Sequence, residues 1–242
     1  MSENLIKSKH RVQKHGEVFT PSWLVEEMLN LEGVNQSCQE LKDTFLEPSA
    51  GEGVFLSHIL KRKLQMVEKN YSESLTRYEN YSLYALSTIY GIELLEDNAQ
   101  MCVINLYEVY KDFYTRVAKK FDQNCKENVN SSAKVIISTN ICQGNFLTKL
   151  KPDGTPIIFS EWTIVNKLRK DVSVIKVQRT EYSLEDILDS KKNQRGSLYE
   201  KPNQIGQLDL FEDEDEKDKV PDSMKYVISK IVDVYKEETE YD

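Results

Sequence analysis

Apolar residues change period several times along the chain, and each change marks an element. Leu24, Val25, Met28 and Leu29 recur at helical spacing behind Thr20 and Pro21. A threonine side chain can satisfy an orphan N–H, and proline at the first helical position forfeits no hydrogen bond. A short amphipathic helix is therefore predicted from there to about residue 31. A brief apolar run at residues 44–47 enters the turn Pro48-Ser49-Ala50-Gly51-Glu52-Gly53, after which Phe55, Leu56, Ile59, Leu60 and Leu64 trace a helix. The order is strand, turn, helix. Ile89-Tyr90-Gly91-Ile92-Glu93 begins a second such unit, whose long helix runs through Ala99, Val103, Leu106, Tyr110, Phe113 and Val117.

Residues 122–132 are polar and rich in asparagine and read as a loop, while residues 135–137 are too few to assign to strand or helix. Beyond Gly144 the pattern shifts. Residues 156–162 and 172–177 are rich in β-branched side chains and read as strands joined by a basic connector with Lys167, Arg169 and Lys170. Residues 182–188 form a short helix candidate. Residues 190–223 are polar and charged with one apolar cluster, a composition expected to stay disordered, and residues 226–235 fit either a strand or a helix.

Composition adds where the charge lies. The net charge is −8, but residues 207–242 hold 13 acidic and 5 basic side chains, so residues 1–206 carry 27 of each and are neutral. Three regions follow: a basic arm at residues 1–15 with Lys7, Lys9, Arg11 and Lys14, a body at 16–189, and an acidic tail at 190–242. The arm reads as a mobile segment suited to phosphate or as a solvated terminus. Cys38, Cys102, Cys125 and Cys142 form no C-x-x-C pair, and His10, His15 and His58 stand at no metal-ligand spacing from them, so neither zinc nor a disulfide framework is expected. With no apolar run of signal-peptide or membrane-span length, a cytoplasmic, reducing location is expected.

Two constellations carry chemistry. A glycine turn between a first strand and a first helix lets a ligand approach the backbone, at the strand ends where α/β sheets bind nucleotides. The dinucleotide spacing G-x-G-x-x-G fails because Leu56 occupies the third position. The second is Gly91-Ile92-Glu93, whose acid at a strand tip suits the two ribose hydroxyls of an adenosine ligand.

Gly16-Glu17-Val18-Phe19-Thr20-Pro21, Glu47-Pro48-Ser49-Ala50-Gly51-Glu52-Gly53-Val54-Phe55-Leu56, Gly91-Ile92-Glu93-Leu94 and Gln143-Gly144-Asn145-Phe146-Leu147 occur in this order over residues 10–162. Together they resemble the cofactor-binding motifs of adenine-N6 DNA methyltransferases, closest to the γ-type arrangement of restriction-modification systems. The resemblance implies a class I methyltransferase fold: a Rossmann-like α/β sheet with helices on both faces, here incomplete or divergent on its C-terminal side. It implies S-adenosyl-L-methionine as cofactor. Phe19, Thr20 and Pro21 would cover the methionine end, Glu47 and the Gly51 to Gly53 turn would hold the amino-acid moiety, Glu93 the ribose and Asn145 the adenine edge. Pro48, Ala50, Phe55, Leu94 and Phe146 complete the expected cofactor-binding set. The family usually has aspartate where this chain has Asn145, whose amide oxygen can still accept from an adenine amino group.

A second departure is an absence. These enzymes hold the flipped adenine with an [N/D]-P-P-[Y/F/W] tetrapeptide after the fourth strand. No two of Pro21, Pro48, Pro152, Pro156, Pro202 and Pro221 are adjacent, and the expected place holds Gln178-Arg179-Thr180-Glu181-Tyr182. No catalytic residue is therefore assigned. The expected function is a methyltransferase-like, cofactor-binding protein of a modification or mobile-element system that acts on DNA with a partner subunit, or is inactive alone. A working methyltransferase with an unusual substrate is a further reading. The remaining alternative is a non-catalytic adaptor, because Gln207-Leu208-Asp209-Leu210-Phe211 resembles the peptide by which bacterial replication and repair proteins dock on the sliding clamp.

Overall fold

The computed structural model describes residues 6–169, 172–199 and 224–241. The clamp-like pentapeptide at 207–211 and most of the stretch expected to be disordered lie outside the described residues. Three short helices come first: α1 (Lys9–His15), α2 (Ser22–Leu29) and α3 (Glu32–Gln39). In α1 the Ser8 hydroxyl accepts from the Arg11 N–H, and Gly16 ends the helix at φ +66°. Residues 9–15 of the expected arm are thus helical. Thr20 does not cap α2: Pro21 occupies the cap position in extended conformation, and the helix begins one residue later at Ser22.

Strand β1 (Phe45–Glu47) leads through the glycine turn into α4 (Val54–Asn70) and α5 (Leu75–Leu86), and the chain returns as β2 (Ile89–Glu93). Helices α6 (Glu96–Lys120) and α7 (Glu127–Asn140) then bring it to β3 (Ile141–Gln143). The three strands form a parallel sheet in the order β1-β2-β3, with Glu47 beside Gly91 and Glu93 beside Gln143. This is the expected mixed α/β arrangement with a parallel sheet.

Helices α1, α3, α5 and α7 were not anticipated from the sequence pattern. Every residue of α5 except Thr76 is buried, including Arg77, Glu79 and Asn80, so its polar positions do not mark a solvent-facing side. Its acid is satisfied internally: Glu79 accepts from the Tyr114 hydroxyl at 2.6 Å and pairs with Lys126 at 2.7 Å. Asn80 accepts from the Ile175 N–H at 2.9 Å and so ties this helix to the second sheet. The expected loop at 122–132 is overturned in its second half, because α7 already starts at Glu127, with Val129, Ser132, Ala133, Ile136 and Ile137 facing the core.

The C-terminal side departs further from expectation. β4 (Ile158–Ile164) and β5 (Lys176–Ser183) pair antiparallel, followed by α8 (Leu184–Leu188). β6 (Met224–Tyr226) and β7 (Ser229–Lys230) precede a 3-10 helix (Ile231–Lys236) and β8 (Thr239–Tyr241). β7 joins β5, and β6 pairs with β8. The strand read at 172–177 actually starts at Lys176, and it continues through Gln178 to Ser183. Residues 226–235 supply both a strand and a helical turn.

One face of the parallel sheet packs on helices: a Cβ on Gly91 would stand 2.8 Å from Leu56 of α4. Against the other face Tyr90, Ile92 and Cys142 meet Ile157, Phe159 and Leu184, and the Tyr90 hydroxyl donates to the Ser160 carbonyl at 2.9 Å. The antiparallel hairpin therefore takes the place of the helical layer expected on that side. Among the described residues no helix is long and apolar enough to cross a membrane.

Candidate cofactor-binding site

A cavity of about 480 Å³ opens at the carboxyl ends of β1, β2 and β3. Four sequence segments reach it: residues 16–19, the turn at Pro48, Ser49 and Gly51, the end of β2 at 93–95 with Asn98, and the loop 144–147. Of the residues expected to bind cofactor, Phe19, Pro48, Gly51, Glu93, Leu94, Asn145 and Phe146 line the cavity. Thr20, Pro21, Glu47, Ala50, Gly53 and Phe55 do not line it, and their roles lie elsewhere.

The turn is held by hydrogen bonds that account for several of these positions. Glu47 accepts from the Ser49 N–H at 3.1 Å, and Ala50 donates its N–H to the Ile92 carbonyl at 2.8 Å, anchoring the turn to β2. Gly51 adopts φ +55°, and its N–H donates to Glu93 Oε2 at 2.8 Å. The Phe19 ring lies over this glycine, 3.5 Å from where a Cβ would stand. Gly53 is at φ +82°, and a Cβ there would meet Cys102 Sγ at 2.6 Å. Contact with α6, not access for a ligand, is what Gly53 provides. Phe55 packs against the main core.

Glu93 is buried and already works as a brace. Besides Gly51, it accepts through Oε1 from the Leu95 N–H at 2.9 Å and, at 3.5 Å, from the Asn98 amide. A carboxylate offers about four acceptor positions, so roughly one remains for a ligand hydroxyl rather than the two expected. Asn145 is also engaged: its Oδ1 accepts from the N–H groups of Leu147 at 2.9 Å and Thr148 at 3.4 Å. That oxygen folds the loop, and the amide nitrogen is the group left for a ligand.

Sequence reasoning missed Glu17 and Asn98. Asn98 is 1% exposed and donates to Glu17 at 2.7 Å, joining the first segment to the third. Glu17 sat inside a motif already singled out, whereas nothing but its position five residues after Glu93 marks Asn98. Behind them, Lys7 pairs with Glu52 at 2.7 Å and Asp97 at 3.0 Å, and Arg11 pairs with Glu17 and, at 2.8 Å, with Asp97. The Arg11 hydrogen bonds hold the Asp97 and Glu17 carboxyls below their usual range, against the opposing effect of desolvation. Lys7 and Arg11, two of the four arm cations, are thus neutralised by carboxylates instead of standing free for phosphate. Burial pushes the neighbouring Cys102 thiol up to about 12, which leaves it inert.

The segment compared with the missing tetrapeptide forms no loop at all. Gln178, Arg179, Thr180, Glu181 and Tyr182 lie within β5, and Arg179 bonds Ser160 Oγ at 2.8 Å, Glu181 at 2.9 Å and Glu237 at 2.6 Å. Compared with known protein families, with curated proteins and with solved structures, the chain shows no match.

Proposed function

We propose that the chain binds S-adenosyl-L-methionine and serves as the cofactor-binding part of a DNA adenine-N6 methyltransferase system that depends on a partner. The observation that carries this reading is convergence: four motifs separated by up to about 130 residues in sequence meet around one cavity of about 480 Å³. That volume lies within the usual range for sites of small ligands and cofactors, about 300–1,000 Å³.

The lining suits the ligand's chemistry. Glu17 and Glu93 line the cavity, and among the described residues no lysine or arginine does, which favours a cationic sulfonium. Leu94, Phe146 and Leu147 offer apolar surface to a purine, and the Asn145 amide nitrogen can donate to a ring nitrogen. Glu93 can take one ribose hydroxyl. A methyltransferase cofactor supplies an electrophilic methyl group; this chain's residues would bind and orient it. The target base is another matter, since residues 178–182, the sequence position of the missing tetrapeptide, lie within β5 and none of them lines this cavity. The adaptor reading rests on residues 207–211, outside the described residues, and no structural observation favours it.

Isothermal titration tests the proposal. The wild-type chain is expected to bind the cofactor or its demethylated product at micromolar to sub-millimolar Kd. Glu93→Gln keeps the shape but turns one acceptor into a donor facing the Gly51 or Leu95 N–H, and should weaken binding roughly tenfold or more. Absence of both heat and thermal shift at millimolar cofactor would sink the assignment. Labelled methyl transfer to duplex DNA by the isolated chain would instead overturn the dependence on a partner.

A further inference from the structure

Among the described residues the parallel sheet stops at β1. The Phe45 N–H donates to the Thr88 carbonyl at 2.9 Å, and the register sets Phe45 beside Ile89 and Glu47 beside Gly91. Successive strand residues send their backbone groups to opposite sides, so Phe45 and Glu47 bond β2 while the N–H and C=O of Leu46 point away from it. Among the described residues neither Leu46 group has a hydrogen-bond partner, and the side chain is 40% exposed. Beside this edge runs a groove of about 440 Å³ between Phe45 and Leu46 on one side and Tyr90, Phe159, Tyr182 and Ile187 on the other. The free edge and the apolar groove adjoin each other.

We propose that this edge docks one extended strand of a partner polypeptide, which extends the sheet beside β1. Only an extended backbone, about 4.8 Å away, answers the Leu46 donor and acceptor together. Its side chains alternate, so one row would enter the aromatic groove. Lys191, Lys192 and one carboxylate, Glu161, also line the groove; Lys191 is paired with Asp186 and Asp189, and Lys192, which has no ion-pair partner among the described residues, is the cation left to meet an acidic side chain flanking the partner strand. If the cofactor reading holds, the location has a consequence for the reaction. β1 runs directly into the Pro48–Gly51 turn, so a strand added parallel to it delivers its following loop to the mouth of the cofactor cavity, where base-holding groups are missing.

The test uses the full chain and two synthetic ten-residue peptides that alternate valine with serine, one flanked by glutamates and one by lysines, titrated by fluorescence anisotropy. The glutamate-flanked peptide should bind saturably and the lysine-flanked one at least tenfold more weakly. Leu46→Pro removes only the outward donor, a position that tolerates proline on an edge strand, and Ile187→Lys fills the groove with charge. Each should weaken binding at least tenfold, with the Ile187→Lys thermal midpoint unchanged. Equal binding by wild type and both variants, or none by wild type, overturns the proposal. So does amide exchange at Leu46 as slow as at Phe45 in the chain alone, because other residues of the chain would then cover the edge. A dimer abolished by Leu46→Pro would assign the edge to a second copy and overturn it too. Cofactor titration of the same samples separates the two claims: peptide binding without cofactor binding overturns the function only, and the reverse overturns the docking site only.

Discussion

Lys63 offers a measurement of how the interior handles a charge. Its side chain is fully buried, its Nζ donates to the carbonyls of Glu40 at 2.7 Å and Asp43 at 2.9 Å, and it lies 5.5 Å from the Phe45 ring centroid. It therefore pins the segment that leads into β1. Burial lowers its pKa from 10.5 to about 8, with Cys38, Asp43 and Glu40 opposing the shift. Between about pH 8 and 10.5 the unfolded chain holds this proton and the folded one does not, so the lysine's contribution to stability rises with pH across that window. The whole difference is about 3 kcal/mol at about 1.4 kcal/mol per pH unit, of which about 1 kcal/mol develops between pH 7 and 9. Lys63→Met keeps the length and removes the titration. Urea denaturation of both proteins at pH 7, 8 and 9 gives the quantity, as wild-type minus variant stability. Subtraction removes contributions common to both, including the raised thiols of Cys102 and Cys142, which act in the opposite direction above pH 9. A difference that is flat or falls from pH 7 to 9 refutes the argument that this ammonium is held in a dehydrated site.

Three further outcomes follow from particular contacts. Gly53→Ala should cost about 2–4 kcal/mol, from left-handed backbone strain and collision with Cys102 Sγ, and Cys102→Ala in the same chain should restore part of it; additive losses in chemical denaturation would show that the contact is not the cause. Arg11→Ala should release α1, read as faster amide exchange over residues 9–15. In wild type the same release should occur only at acid pH, because the depressed Asp97 and Glu17 carboxyls contribute stability above their ordinary values of 3.8 and 4.5 and lose it as pH falls through the lower folded ones; unchanged exchange in the variant would refute the ionic attachment. Finally, a peptide spanning residues 205–216 should bind a bacterial sliding clamp at about micromolar Kd, since ordering a short peptide opposes a small buried area. Equal anisotropy with a Leu210→Ala, Phe211→Ala peptide would remove that role.

The sequence by itself located β1, β2 and the helices α4 and α6 that directly follow them, because half-buried helices and strand-turn-helix units advertise themselves through period and glycine placement. It also named seven residues that line one cavity, through the order of four motifs. Tertiary structure decided the rest. Helix α5 was not assigned because its polar residues Arg77, Glu79 and Asn80 are buried by neighbouring elements instead of facing solvent, and Asn98 because its importance comes from meeting Glu17, 81 residues earlier. Gly53 was read as room for a ligand, yet its neighbour is Cys102, a contact that only the packing of α6 on the turn creates. The same holds for Arg11: along the chain it is one charge in a basic arm, and only folding brings Glu17 and Asp97 within reach to neutralise it. Local pattern fixes which backbone geometry a segment prefers; which side chain meets which depends on elements far apart in the chain, and that is settled when their faces pack.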